Sequence, residues 1–147
     1  MMANILYFLG MAIDKSSVEH IVISRGDVIG DIVLSTGLIR PLKSAFPHAK
    51  LSFLVTQPYV DLVSQIPEID EVIVDTLPYI MSVSHIPELI RLASVLRQKK
   101  VDCFVGSWAH PKYAWLSFLA GISCRGGHGR SFWNRCLYNL VAKDNYW

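Results

Sequence analysis

His20-Ile21-Val22-Ile23-Ser24-Arg25-Gly26-Asp27-Val28-Ile29-Gly30-Asp31 is the stretch that decides the fold. Its first five residues are a short, β-branched apolar run, which predicts a buried strand. Gly26 to Gly30 reads as a turn, and Gly30 admits a tight bend and a close ligand. Asp31 is placed to cap a helix predicted over residues 32–46, with Pro41 interrupting it. Working outward, the unit recurs. Apolar runs at 50–55, 71–75 and 101–106 predict three more strands, separated by helices over 58–65, 87–100 and 111–120. In the second of these, Leu89, Ile90, Ala93 and Leu96 fall at helical spacing, and Arg97, Lys99 and Lys100 complement its C-terminal dipole. Gly121 ends the next helix. A turn-rich stretch at 122–129 with a short strand leads into a last helix over 131–141. Strands alternating with helices predict βαβ units: a Rossmann-like α/β domain with a parallel sheet and helices on both faces.

The totals agree with that class. The 147 residues suit one domain, and 52% hydrophobic against 18% charged excludes a disordered chain. The apolar excess fits a sheet covered on both faces. A net charge of +2 without a Lys/Arg stripe among aromatics gives no nucleic-acid surface. Cys103, Cys124 and Cys136 are odd in number and lack CxxC spacing, so they read as reduced, buried small hydrophobes of a cytoplasmic protein. The five histidines show no ligand spacing, and no metal is expected. Residues 1–18 read as an N-terminal extension. Its apolar part is shorter than the roughly 20 residues a bilayer span needs, and it has no basic n-region. Met11 as the true start, or a membrane-surface anchor, are its two readings. The domain proper is 19–147, and the last five residues look cut, with no terminal element.

In open α/β folds ligands gather at the carboxyl ends of the strands, where the turn after the first strand lies. The dinucleotide fingerprint G-x-G-x-x-G is incomplete there. Only Gly26 and Gly30 are present, with Asp27 and Asp31 beside them. Two carboxylates repel a pyrophosphate, which argues against NAD and against a P-loop. A carboxylate near a helix N-terminus is favoured in its charged form and can take a proton from a nucleophilic hydroxyl. The plainer roles are an N-cap for Asp31 and a partner of Arg25 or a backbone N–H for Asp27. Trp108, directly after the fourth strand, is the aromatic best placed to stack on a sugar; Tyr113 and Trp115 read as core or interface. His110 and His128 read as solvated loop residues, and Phe132 with Trp133 as an exposed apolar patch.

The order of these motifs resembles family 9 glycosyltransferases, which include the lipopolysaccharide heptosyltransferases. The likeness rests on Arg25-Gly26-Asp27-Val28-Ile29-Gly30-Asp31 as R-x-D-x-x-G-D after an apolar strand, and on Phe46-Pro47 closing the helix. It continues through 51–55 and 66–73, the strand after Lys100 and the Arg125-Gly126-Gly127 turn. The resemblance implies the N-terminal, acceptor-side half of a two-domain GT-B fold. It implies inverting transfer of heptose from ADP-heptose to the inner core of lipopolysaccharide, with no metal and no other cofactor. The donor would be bound by the missing domain. Asp31 matches the catalytic base. Arg25, Asp27, Gly30, Trp108, Lys112 and Arg130 fall on the acceptor side, the cations toward phosphates and Kdo carboxylates. The implied location is cytoplasmic, peripheral at the inner membrane. Three departures stand against this. Gly106 occupies a position where many members keep an aspartate, Gly37 replaces a common proline, and no donor domain follows Trp147. The chain alone is therefore expected to be inactive, and the alternative is a truncated or degenerate acceptor-binding domain without enzyme activity.

Overall fold

The computed structural model describes residues 16–142; the apolar residues before Ser16 and the five after Ala142 lie outside them. Six parallel strands form one sheet: β1 His20–Ser24, β2 Lys50–Thr56, β3 Glu71–Asp75, β4 Cys103–Gly106, β5 Cys124–His128 and β6 Leu140–Ala142, in the order β3-β2-β1-β4-β5-β6. The chain steps outward from β1 to β3, then crosses back to β4 on the other side of β1 and steps outward again. Ile21 is in register with Leu51 on one side and Cys103 on the other. The reversal between β1 and β4 is the switch point where a doubly wound sheet opens a crevice at its carboxyl edge. The motif after Ser24 sits there.

The helices are α1 Ile29–Ser35, α2 Ile39–Ala45, α3 Val60–Ser64, α4 Ile86–Gln98, α5 Pro111–Leu119 and α6 Phe132–Leu137. Ile21 and Ile23 pack with Ile32, Leu38, Leu42 and Val63 on one face, while Val22, Leu54 and Phe104 pack with Leu92, Leu96 and Leu116 on the other. Alternate residues of each strand serve opposite layers, which is why the runs read as unbroken apolar segments.

Two expectations are corrected. The first helix starts at Ile29, before Asp31, and divides at a 3-10 turn, Thr36–Leu38, instead of at Pro41. Pro41 falls third in α2, where the N–H it lacks would have no intrahelical partner. The last helix stops at Leu137, and β6 follows it. Arg125 Nε donates to Leu137 O at 2.8 Å, while the Asn139 side chain accepts the Arg125 N–H at 2.8 Å and donates to Ser123 O at 2.6 Å. These bonds terminate α6 and turn the chain beside β5. The strand within 122–129 is confirmed as β5.

Tyr138, where α6 gives way to β6, explains Gly106 of β4 and Gly127 of β5. A Cβ on Gly106 would lie 2.3 Å from Tyr138 Oη, and one on Gly127 2.4 Å from Tyr138 Cε2. The ring therefore occupies the room that a side chain at 106 needs. Gly106→Ala is expected to destabilise the fold by about 1–3 kcal/mol through overpacking. Adding Tyr138→Phe should recover part of that loss, because it removes the nearest atom. Chemical denaturation of the two variants and of Tyr138→Phe alone measures the coupling, and strictly additive costs would disprove it.

Candidate functional site

Arg25 follows β1 directly, and its N–H donates to Leu54 O at 3.1 Å, so the strand's hydrogen-bonding holds it at the switch point. Gly26 then runs so close to the layer below that a Cβ would lie 2.8 Å from Tyr113 Oη and 3.0 Å from Thr56 Cγ2. Here glycine is required by approach. Gly30 is different. It is the second residue of α1, and a Cβ there would meet nothing within 4 Å, so it is not a turn glycine and the space beside Asp31 is open.

Asp31 is the third residue of α1 and does not cap it; Val28 is the N-cap, without a side-chain bond. Its carboxylate in the first turn complements the helix dipole. Arg25 gathers the site. Its Nε and Nη2 donate to the two oxygens of Asp27 at 2.6 and 2.8 Å, Nη2 also to Asp31 Oδ2 at 2.6 Å, and Nη1 to Ser107 O at 2.6 Å. The Arg25 and Asp27 side chains are 13% and 14% exposed, against 41% for Asp31, so Asp31 is the carboxylate presented to solvent. Behind it Ser35 Oγ meets Ser107 Oγ at 3.0 Å, and Ser107 Oγ donates to Ser24 O at 2.8 Å, pinning α1 to the ends of β1 and β4.

A buried group absent from the expectations lies beneath. Asp75, at the end of β3, accepts from Tyr113 Oη at 2.7 Å, from Lys112 Nζ at 2.9 Å and from the Leu77 N–H at 2.9 Å. Lys112 Nζ also donates to Leu77 O at 3.1 Å. The Lys112 ammonium, assigned above to an anionic acceptor, is thus turned inward and spent on Asp75. Burial first, then the Asp75 charge, pushes the Tyr113 phenol well above its ordinary range, keeping it a donor. The only sequence signal for Asp75 is an acid closing a β-branched run at the ligand edge.

Trp108 is half-buried and enclosed. Its ring lies 4.9 Å from His110, 5.4 Å from Tyr79 and 6.0 Å from Tyr113, with Arg25 Cζ at 5.9 Å and Lys112 Nζ at 5.8 Å from its centroid. His110 is not a solvated loop residue. It caps α5, Nδ1 accepting the Lys112 N–H at 3.2 Å, and burial together with the Lys112 charge lowers its pKa. His128 is buried at the end of β5, whereas Arg130 is exposed between β5 and α6. Phe132 and Trp133 are exposed as expected. Cys103 and Cys124 are buried with sulfurs 3.1 Å apart, but Cys136 is exposed, contrary to expectation. Among the described residues no three His, Cys, Asp or Glu side chains form a metal-binding group, and no helix is long and apolar enough to cross a membrane.

No protein-family model matches the sequence, and no curated protein does. Solved structures do. The E. coli ADP-heptose LPS heptosyltransferase II superposes with a TM-score of 0.72 at 27% identity over 86% of this chain. A family 9 glycosyltransferase from Veillonella parvula gives 0.73 at 20% over 90%, and an E. coli heptosyltransferase determined with ADP gives 0.64 at 18% over 86%. The chain spans 35%, 37% and 42% of those three structures, respectively. In its sheet and its order of elements, the chain resembles the N-terminal half of the GT-B heptosyltransferases of glycosyltransferase family 9.

Proposed function

We propose that this chain is the acceptor-side domain of an inverting glycosyltransferase that moves heptose from ADP-heptose to an inner-core sugar of lipopolysaccharide. The observation that carries the reading is Asp31. It is a half-exposed carboxylate at the switch point, held at 2.6 Å by an arginine that is itself fixed by Asp27 and Ser107. In this reading Asp31 removes the proton from the acceptor hydroxyl as its oxygen attacks the anomeric carbon, and ADP departs from the opposite face. Arg25 and Asp27 position Asp31 and leave one carboxylate able to work. The open space at Gly30 admits the acceptor. Lys112 acts through Asp75 by fixing the segment after β3, and Arg130, exposed at the same edge, meets the acceptor's phosphates and carboxylates.

The donor belongs to a second domain, and no step needs a metal. The setting is the cytoplasmic face of an inner membrane. There exposed Val83 and Phe132 provide apolar contact with the bilayer. The test joins the chain to a complementing family 9 donor domain and follows ADP release from ADP-heptose with deacylated lipopolysaccharide as acceptor. Acceptor-dependent release is expected. Binding of the acceptor without release would instead support a non-enzymatic acceptor-binding domain.

A further inference from the structure

Beside the Trp108 cluster a 440 Å³ pocket opens between the segment after β3 and helices α4, α5 and α6. It is walled by Tyr79, Met81, Leu89, His110, Trp115 and Trp133. That volume is within the range of small-ligand sites. It has little polar reach. Lys112, which also borders it, spends its ammonium on Asp75 and Leu77 O. His110 uses Nδ1 as the α5 cap and its ring also hydrogen-bonds the Tyr79 backbone. What remains for a ligand is ring faces. Of these Tyr79 is the most exposed, ahead of Trp133. The residue is 66% exposed, while its ring lies against Trp108 and His110, each 5.4 Å away. Trp108, by contrast, has its neighbourhood filled by Arg25, Lys112, Tyr79, His110 and Tyr113. The chain of contacts Asp31–Arg25–Trp108–Tyr79 connects the pocket to the candidate base.

We infer that Tyr79 is the stacking platform of a sugar subsite: a pyranose ring of the acceptor, next to the one carrying the attacking hydroxyl, lays its apolar C–H face on the Tyr79 ring and enters this pocket. An aromatic ring preorganised by its neighbours offers contact area at little entropic cost, and it selects ring shape without reading hydroxyls. The assignment rests on the acceptor reading above, and it moves the stacking role from Trp108 to Tyr79.

The test titrates the full chain with deacylated lipopolysaccharide core oligosaccharide, followed by saturation-transfer NMR and tryptophan fluorescence. Tyr79→Ala should weaken binding about five- to tenfold, whereas Tyr79→Phe and Tyr79→Trp should stay within about twofold of wild type. Because the ring is mostly exposed, circular dichroism of all three variants should match wild type. Wild-type binding with an undiminished Tyr79→Ala would overturn the subsite and leave the acceptor reading standing. Absence of wild-type binding would overturn both. Displacement of the oligosaccharide by dodecanoate, with Tyr79→Ala tolerated, would assign the pocket to a hydrocarbon chain and also overturn the proposal.

Discussion

Asp31→Asn, in the chain completed by a donor-binding domain, is expected to lower the transfer rate by about 10²–10⁴-fold, the range for removing a general base. Acceptor affinity should be unchanged. The substitution suits the geometry. Asparagine keeps an oxygen that can accept from Arg25 Nη2, so the fork to Asp27 and Ser107 O need not rearrange, while the amide cannot take up a proton. A drop confined to kcat, with KM for the acceptor steady, separates loss of the base from loss of the binding surface. Retained turnover would refute the role of Asp31.

Lys112→Met is expected to be the most destabilising single change at the site, by about 3–5 kcal/mol, because it leaves the Asp75 carboxylate buried without its cation. Lys112 and Asp75 side chains are 2% and 0% exposed, so water cannot substitute. Coupling makes the prediction sharp. Asparagine at 75 is neutral; its Oδ1 still accepts the Leu77 N–H, and its Nδ2, standing where Oδ2 was, donates to Tyr113 Oη, whose hydroxyl can turn to accept. The double variant Lys112→Met/Asp75→Asn should therefore lie within about 1 kcal/mol of wild type. Urea unfolding of the single and double variants reads this directly. A double variant as unstable as the sum of the singles would show that the pair contributes packing and not charge compensation.

The sheet was legible because its strands are buried on both faces. Residues 21–23 and 103–105 are continuous apolar runs, and the alternation of Ile21 and Ile23 against Val22 needs no polar side. Boundaries set by long-range contacts were not. Nothing local marks residues 140–142 as a strand; Asn139 and Arg125, fourteen positions apart, make it one by ending α6 and turning the chain. The site divides the same way. Arg25, Asp27 and Asp31 are near neighbours in sequence, so their association could be read from spacing, although the arginine turned out to serve the carboxylates. Asp75 pairs with Lys112 and Tyr113 across 37 and 38 positions, and only the fold shows that a lysine drawn toward solvent by its sequence context is committed to the interior. Tyr79 was invisible for a similar reason. Its value lies in standing open beside rings that are closed.

The Tyr138 ring lying over Gly106 and Gly127 also constrains how the chain can diverge. Positions 106, 127 and 138 share one volume, so a side chain added at 106 or 127 has to displace the ring at 138. A carboxylate at 106 requires the ring at 138 to move or be lost. The intermediate carrying both is overpacked and the one carrying neither has a cavity, which makes the two arrangements separate solutions instead of points on a gradual path.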